Sequence, residues 1–240
     1  GVDPAVLMVA TAPVLRETAR VSNGQVSGET GESSFILAYV MSFLLYMALL
    51  LYGTQVMGSV VEEKSNRIME VLVSSLTPFE LMLGKVVGVG SVALLQLGIW
   101  SGAAKLLTSQ RVAIAGLFGA APSDAVGMPI PAISGSLLVV YLTFFVLGFF
   151  LYSAAYAAVA ATVSTQQEAQ QAAMPVTLCI VAGLLLMFGL LDEPNGTLAR
   201  TMSLIPLFAP FVTPVRHSLS PLPLMELLAS AGMTALGVVI

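Results

Sequence analysis

Of 240 residues, 57% are hydrophobic and only 9% charged, against about 25% charged in a typical soluble domain; a mean hydropathy of +0.94 places the chain in a bilayer. A net charge of −4 without any Lys/Arg cluster argues against nucleic acid as a partner. The single cysteine, Cys179, excludes an internal disulfide and sits in an apolar run as a small buried hydrophobe.

Gly1 opens into mixed sequence, with no basic region leading to an apolar core, so no signal peptide is expected and the chain reads as an excerpt of a longer protein. Asp3-Pro4 predicts a cap and a short helix, Val14 to Val21 a strand, and Ser22 to Ser34, with Gly24, Gly28 and Gly31, a polar linker. Residues 1–33 are therefore expected to be the end of a water-exposed domain plus its linker, and 34–240 the transmembrane domain.

Uncharged runs cover 33–61, 86–104, 125–167, 169–191 and 227–240. A helix rises about 1.5 Å per residue and the hydrocarbon core is about 30 Å thick. The fold class is thus an all-α polytopic membrane protein with about five spans, near 35–61, 81–107, 134–163, 169–191 and 222–240, the fifth cut short. In the first span Thr54, Gln55 and Ser59 should face protein. They serve either as interhelical hydrogen-bonding groups, worth about 0.6 kcal/mol each on average, or as the lining of a transport path, for which Thr54 and Gln55 are the candidates.

Between the first two spans lies a charged island, 62–85. Glu63 and Arg67 are four apart and Arg67 and Glu70 three apart, so one helical face holds a charge network. Ile68, Val71, Leu72 and Leu76 fall opposite, giving an amphipathic helix. Thr77-Pro78-Phe79-Glu80 is then a capping box with proline at the first helical position, and Leu76 and Leu81 sit where a hydrophobic staple would clamp the corner. The second span carries Gly84, Gly88, Gly98 and Gly102 along one stripe; this small-x-x-x-small spacing predicts close packing within the chain, with a subunit contact as the alternative.

Residues 108–133 read as a loop. The third span, 134–163, exceeds the hydrocarbon thickness and must tilt or protrude. Thr165-x-x-Glu168 is a second capping box, in a polar connector that includes Gln167 and joins antiparallel neighbours. Pro175 should kink the fourth span. Prolines at 206, 210 and 214 forbid one straight helix over 198–215 and predict a pair of short re-entrant or interfacial helices ending at Arg216-His217.

No G-x-x-x-x-G-K-[ST], H-E-x-x-H or G-x-S-x-G occurs, so no Walker loop, two-histidine zinc site or hydrolase elbow is expected. His217 is read as structural or solvated. No carboxylate is expected inside a span, which leaves no Asp/Glu proton relay. Catalysis is assigned to another chain, and this one is expected to hold no metal. Positive charge divides between Lys64, Arg67 and Lys85 on one side and Arg16, Arg20, Lys105, Arg111, Arg200 and Arg216 on the other, so charge alone leaves orientation open.

The run from Val61 to Gly88, with its N-R-x-x-E segment, Thr-Pro-Phe-Glu corner and Leu-Gly-Lys leading into the next helix, resembles the signature of permeases of type-2 ABC exporters, in particular the group of the sodium-export permease NatB. The likeness extends over 166–175 and 203–214. It implies a six-span subunit with an extracellular domain between spans one and two, residues 1–33 outside and 62–80 in the cytoplasm. The implied coupling residues are Glu62, Glu63, Arg67, Glu70, Thr77, Pro78 and Glu80, with Gln167 and Glu168 in the second cytoplasmic loop. The implied partners are a separate ATPase carrying ATP and magnesium and a second permease copy. A structural or assembly protein without transport, and more remotely a membrane enzyme, are the competing readings; the substrate is not legible.

Overall fold

The computed structural model describes residues 19–22, 25–65, 77–110, 113, 116, 117, 134–190 and 193–239. The expected helix after Pro4, the 66–76 part of the coupling helix with Arg67, Glu70 and the Leu76 half of the staple, and most of the 108–133 loop lie outside these residues.

β1 (Ala19–Ser22) and β2 (Gln25–Thr30) form an antiparallel hairpin with Val21 opposite Val26. β1 overlaps the strand expected at Val14 to Val21 over Ala19 to Val21, residues 14–18 lying outside the described residues, whereas Gln25 to Thr30, read as linker, pairs as its partner. β2 runs directly into α1 (Gly31–Ser65). From there the fold is all-α: α2 (Pro78–Ser109), α3 (Gly135–Thr162), α4 (Gln166–Ala172), α5 (Met174–Leu190), α6 (Thr197–Met202), α7 (Ala209–Leu219) and α8 (Leu224–Val239). α1, α2 and α3 each suffice in length and apolarity to cross a membrane; α4 and α5, bent by 47°, make a fourth crossing if taken as one span, and α8 is a shorter apolar helix.

The bend falls where proline chemistry requires it. Ala173 ends α4, its N–H donating to the Ala169 carbonyl, and Pro175 occupies the second position of α5, where its missing N–H is no loss.

α1 and α3 pair at the centre, with α7 packed across both. Their core joins Leu45, Leu49, Val56 and Met57 of α1 to Tyr141, Phe145, Phe149, Tyr152 and Tyr156 of α3. Glycines admit the close contacts: a Cβ on Gly53 would stand 2.6 Å from the Tyr156 ring, and one on Gly148 would stand 2.8 Å from Pro210. Each buried tyrosine has a hydroxyl partner, since a bare O–H costs several kcal/mol in hydrocarbon. Tyr152 donates to the Leu207 carbonyl at 2.6 Å, Tyr156 pairs with Thr177 at 3.0 Å, and Tyr141 donates to the Met41 carbonyl.

α6 and α7 form the expected pair of short helices. Its turn reaches the middle of α3, where Pro210 meets Gly148 and Leu207 accepts from Tyr152, while Pro206 abuts Gly237 of α8. α7 is buried along most of its length and continues past Arg216-His217 to Leu219.

α2 differs from the rest. Only 17% of its most apolar window is covered by the protein. Nothing lies within 4 Å of a Cβ built on Gly84, Gly88, Gly98 or Gly102. The intrachain packing expected of that stripe is therefore absent among the described residues; the face of α2 that meets α3 carries Gly90, where a Cβ would stand 2.7 Å from Phe149.

Candidate functional site

At the end of the bundle where α1 finishes and α2 begins, short-range capping and long-range charge contacts build one braced corner. The Thr77 hydroxyl accepts from the Glu80 N–H at 3.3 Å, and the Glu80 carboxylate accepts from the Thr77 N–H at 2.9 Å and its hydroxyl at 2.8 Å. The capping box is complete, with Pro78 in the first turn. One turn on, Lys85 pairs with Glu63 at 2.5 Å and donates to the Ser59 carbonyl at 3.0 Å, fastening α2 to the last turns of α1. Lys64 points the other way and donates to the carbonyls of Ala161 and Val163, at 2.9 and 2.8 Å. There it satisfies orphan carbonyls at the C-terminus of α3, where positive charge is favoured.

The second capping box is displaced by one residue. Thr165 accepts from the Glu168 N–H at 3.2 Å, but the Glu168 carboxylate takes the N–H of Ser164, not that of Thr165. Gln167 is exposed on α4 beside it.

Between α1, α2, α4 and α5 opens a groove of about 1230 Å³. Thr54 and Gln55, singled out as path-lining residues, both border it, as does Glu62. The Thr54 hydroxyl is already used, donating to the Leu50 carbonyl at 2.8 Å. Gln96 of α2 and Gln166 and Gln170 of α4 complete the polar wall; Tyr52 donates to the Gln96 amide oxygen. Sequence reasoning missed these glutamines, which join the groove only because α2 and α4 fold back against α1.

A second polar constellation sits at the opposite end. Arg216, expected at the end of the second short helix, is 1% exposed. Its guanidinium donates to the Pro194 carbonyl (2.8 Å), the Ser203 hydroxyl (2.8 Å) and the Glu226 carboxylate (2.9 Å). Ser230 extends the network, donating to the Ser203 carbonyl and pairing with Thr213. Glu226 lies in the first turn of α8, which corrects the expectation that no carboxylate enters the last span; it is held there as the partner of Arg216. His217 accepts from the Leu222 N–H at 3.2 Å, a structural role as expected.

No group of three or more His, Cys, Asp or Glu side chains among the described residues converges as a metal site would. What the geometry defines is a polytopic helical membrane domain with a braced charged corner, a polar groove beside it and a pair of short helices packed into the other end. Over residues 11–240 the chain matches the model of the ABC-2 family transporter protein family, and it belongs to that family. It is 31% identical to the uncharacterized protein YhaP of Bacillus subtilis, over all of this chain and 56% of that protein. It is also 30% identical to the uncharacterized protein MJ1024 of Methanocaldococcus jannaschii, over 82% of this chain and 45% of that protein. The chain thus spans about half the length of these curated relatives. No solved structure matches it.

Proposed function

We infer that this chain is the membrane domain of a permease in an ATP-binding cassette exporter, with residues 62–80 receiving force from a separate ATPase that carries ATP and magnesium. Membership of the ABC-2 family supports the transport role. The observation that carries the coupling role is the braced corner. A segment that transmits a push must not fold up under it, and the α2 start is held by a complete capping box while Lys85 and Lys64 tie the end of α1 to α2 and α3.

On this reading 62–80 faces the cytoplasm, residues 1–33 end an extracellular domain, 34–240 form the transmembrane domain, and the groove bordered by Thr54 and Gln55 is part of the path. Glu62, Glu63, Thr77, Pro78 and Glu80, with Arg67 and Glu70 in the intervening segment, make the coupling surface, and Gln167 and Glu168 on α4 stand in the second loop of the same side. A second permease copy completes the assembly; the uncovered glycine stripe of α2 is compatible with such a contact. The narrower likeness to sodium-export permeases rests on the 61–88 motif alone.

The test is co-purification of the full-length protein with a Walker-type ATPase encoded beside it, followed by turnover measurements. Stable association supports the reading. Absence of any such partner would favour a structural or assembly protein without transport.

A further inference from the structure

The groove beside the coupling corner has a definite chemistry, and its size and charge narrow what it accepts. A stripped hard cation such as calcium is held by six to eight oxygens at about 2.3–2.6 Å. A space of about 1230 Å³ instead exceeds the roughly 300–1,000 Å³ of ordinary small-molecule pockets. The wall is amphipathic, with Leu50, Leu51, Met57 and Val61 supplying its apolar part.

Its polar part is biased in sign. Glu62 is the sole charged side chain on the described wall. The two lysines nearest it in the described structure are committed elsewhere, Lys64 to the α3 carbonyls and Lys85 to Glu63. Most hydroxyls on the wall are spent: Thr54, Ser59 and Ser65 donate to their own helix, and Thr177 is paired with Tyr156. The amides of Gln55, Gln166 and Gln170 are not so engaged among the described residues. Gly58 leaves room for one of them, since a Cβ there would stand 2.8 Å from Gln166 Nε2.

We propose that this groove binds an amphipathic organic cation of drug or dye size, its charge toward Glu62, its hydrogen-bonding groups toward Gln55, Gln166 and Gln170, and its apolar part on the α1 wall. The assignment rests on the transport reading for its purpose, but binding itself needs no ATPase. The experiment therefore uses the full-length protein alone, in nanodiscs of neutral lipid, with fluorescence polarisation of cationic rhodamine 6G and anionic carboxyfluorescein against empty nanodiscs. Saturable rhodamine binding at least tenfold tighter than carboxyfluorescein is expected. Glu62→Gln should weaken it several-fold, and Gln170→Lys by tenfold or more, while raising carboxyfluorescein binding. Equal affinity for the two dyes, no saturable binding above empty nanodiscs, or affinities unmoved in both well-folded variants would overturn the assignment. Selective cation binding by a protein with which no ATPase co-purifies would support the groove's assignment and count against the coupling reading, so the two fail separately.

Discussion

Lys85 of α2 reaches 26 residues back to pair with Glu63 at 2.5 Å and to cap the Ser59 carbonyl at 3.0 Å, with both side chains mostly shielded from water. One cation thereby joins the first turns of one span to the last turns of the other.

Removing one partner leaves a partly buried charge alone, which costs more than the pair itself contributes. Lys85→Met or Glu63→Gln should each lower stability by about 1–3 kcal/mol, and the double variant should cost less than the sum of the two. A double-mutant cycle on unfolding of the detergent-solubilised protein measures this; strict additivity would show that the two side chains do not interact.

Arg216 holds three acceptors from three segments. Arg216→Met leaves the buried Ser203 and the Pro194 carbonyl without their donor, while Glu226, 37% exposed, can be rehydrated; it should destabilise by about 1–3 kcal/mol. Arg216→Lys keeps the charge but loses the planar fork, and should recover only part of that. A thiol-reactive dye reading Cys179, the single cysteine, follows unfolding without further labelling. Wild-type melting of Arg216→Met would remove the hub from the account.

The glycines divide into two groups with opposite expectations. At Gly183 a Cβ would stand 2.4 Å from the Phe211 ring, so Gly183→Ala should overpack the α5–α7 contact and cost about 1–3 kcal/mol. At Gly84, Gly88, Gly98 and Gly102 nothing lies within 4 Å. Alanine there should leave melting of the single chain unchanged or slightly raised, because alanine is the better helix former by about 1 kcal/mol. A loss of stability in the second group would mean that the stripe packs inside the chain after all.

What could be read from sequence was what neighbouring residues decide. The Thr77–Glu80 box needs only four residues, and the break before Pro175 needs only one missing N–H. The spans follow from composition. The pair of short helices over 197–219 follows from prolines that no straight helix accommodates. Illegible were the partners that tertiary folding chooses. Lys64, Lys85 and Arg216 carry no local sign of whether they meet water, a carbonyl or a carboxylate, and Gln96, Gln166 and Gln170 become one wall only after four helices assemble. The glycine stripe misled for a physical reason: small residues four apart suit any close helix contact, and spacing does not say which chain supplies the other helix. The prolines predict short helices ending at Arg216-His217, and Pro210 and Pro214 do lie within a buried helix, which runs on to Leu219; the burial of Arg216 has no local sign.

The central claim is that the 62–80 corner transmits force, and it is tested most directly by transport-coupled ATPase turnover in the assembled complex of the Thr77→Ala/Glu80→Ala variant. Loss of the N-cap should cost about 1 kcal/mol of local helix stability, too little to unfold the domain but enough to let the corner fray. The complex is expected still to assemble and hydrolyse ATP, with turnover no longer responsive to the permease. Assembly and coupling both at wild-type levels would contradict it.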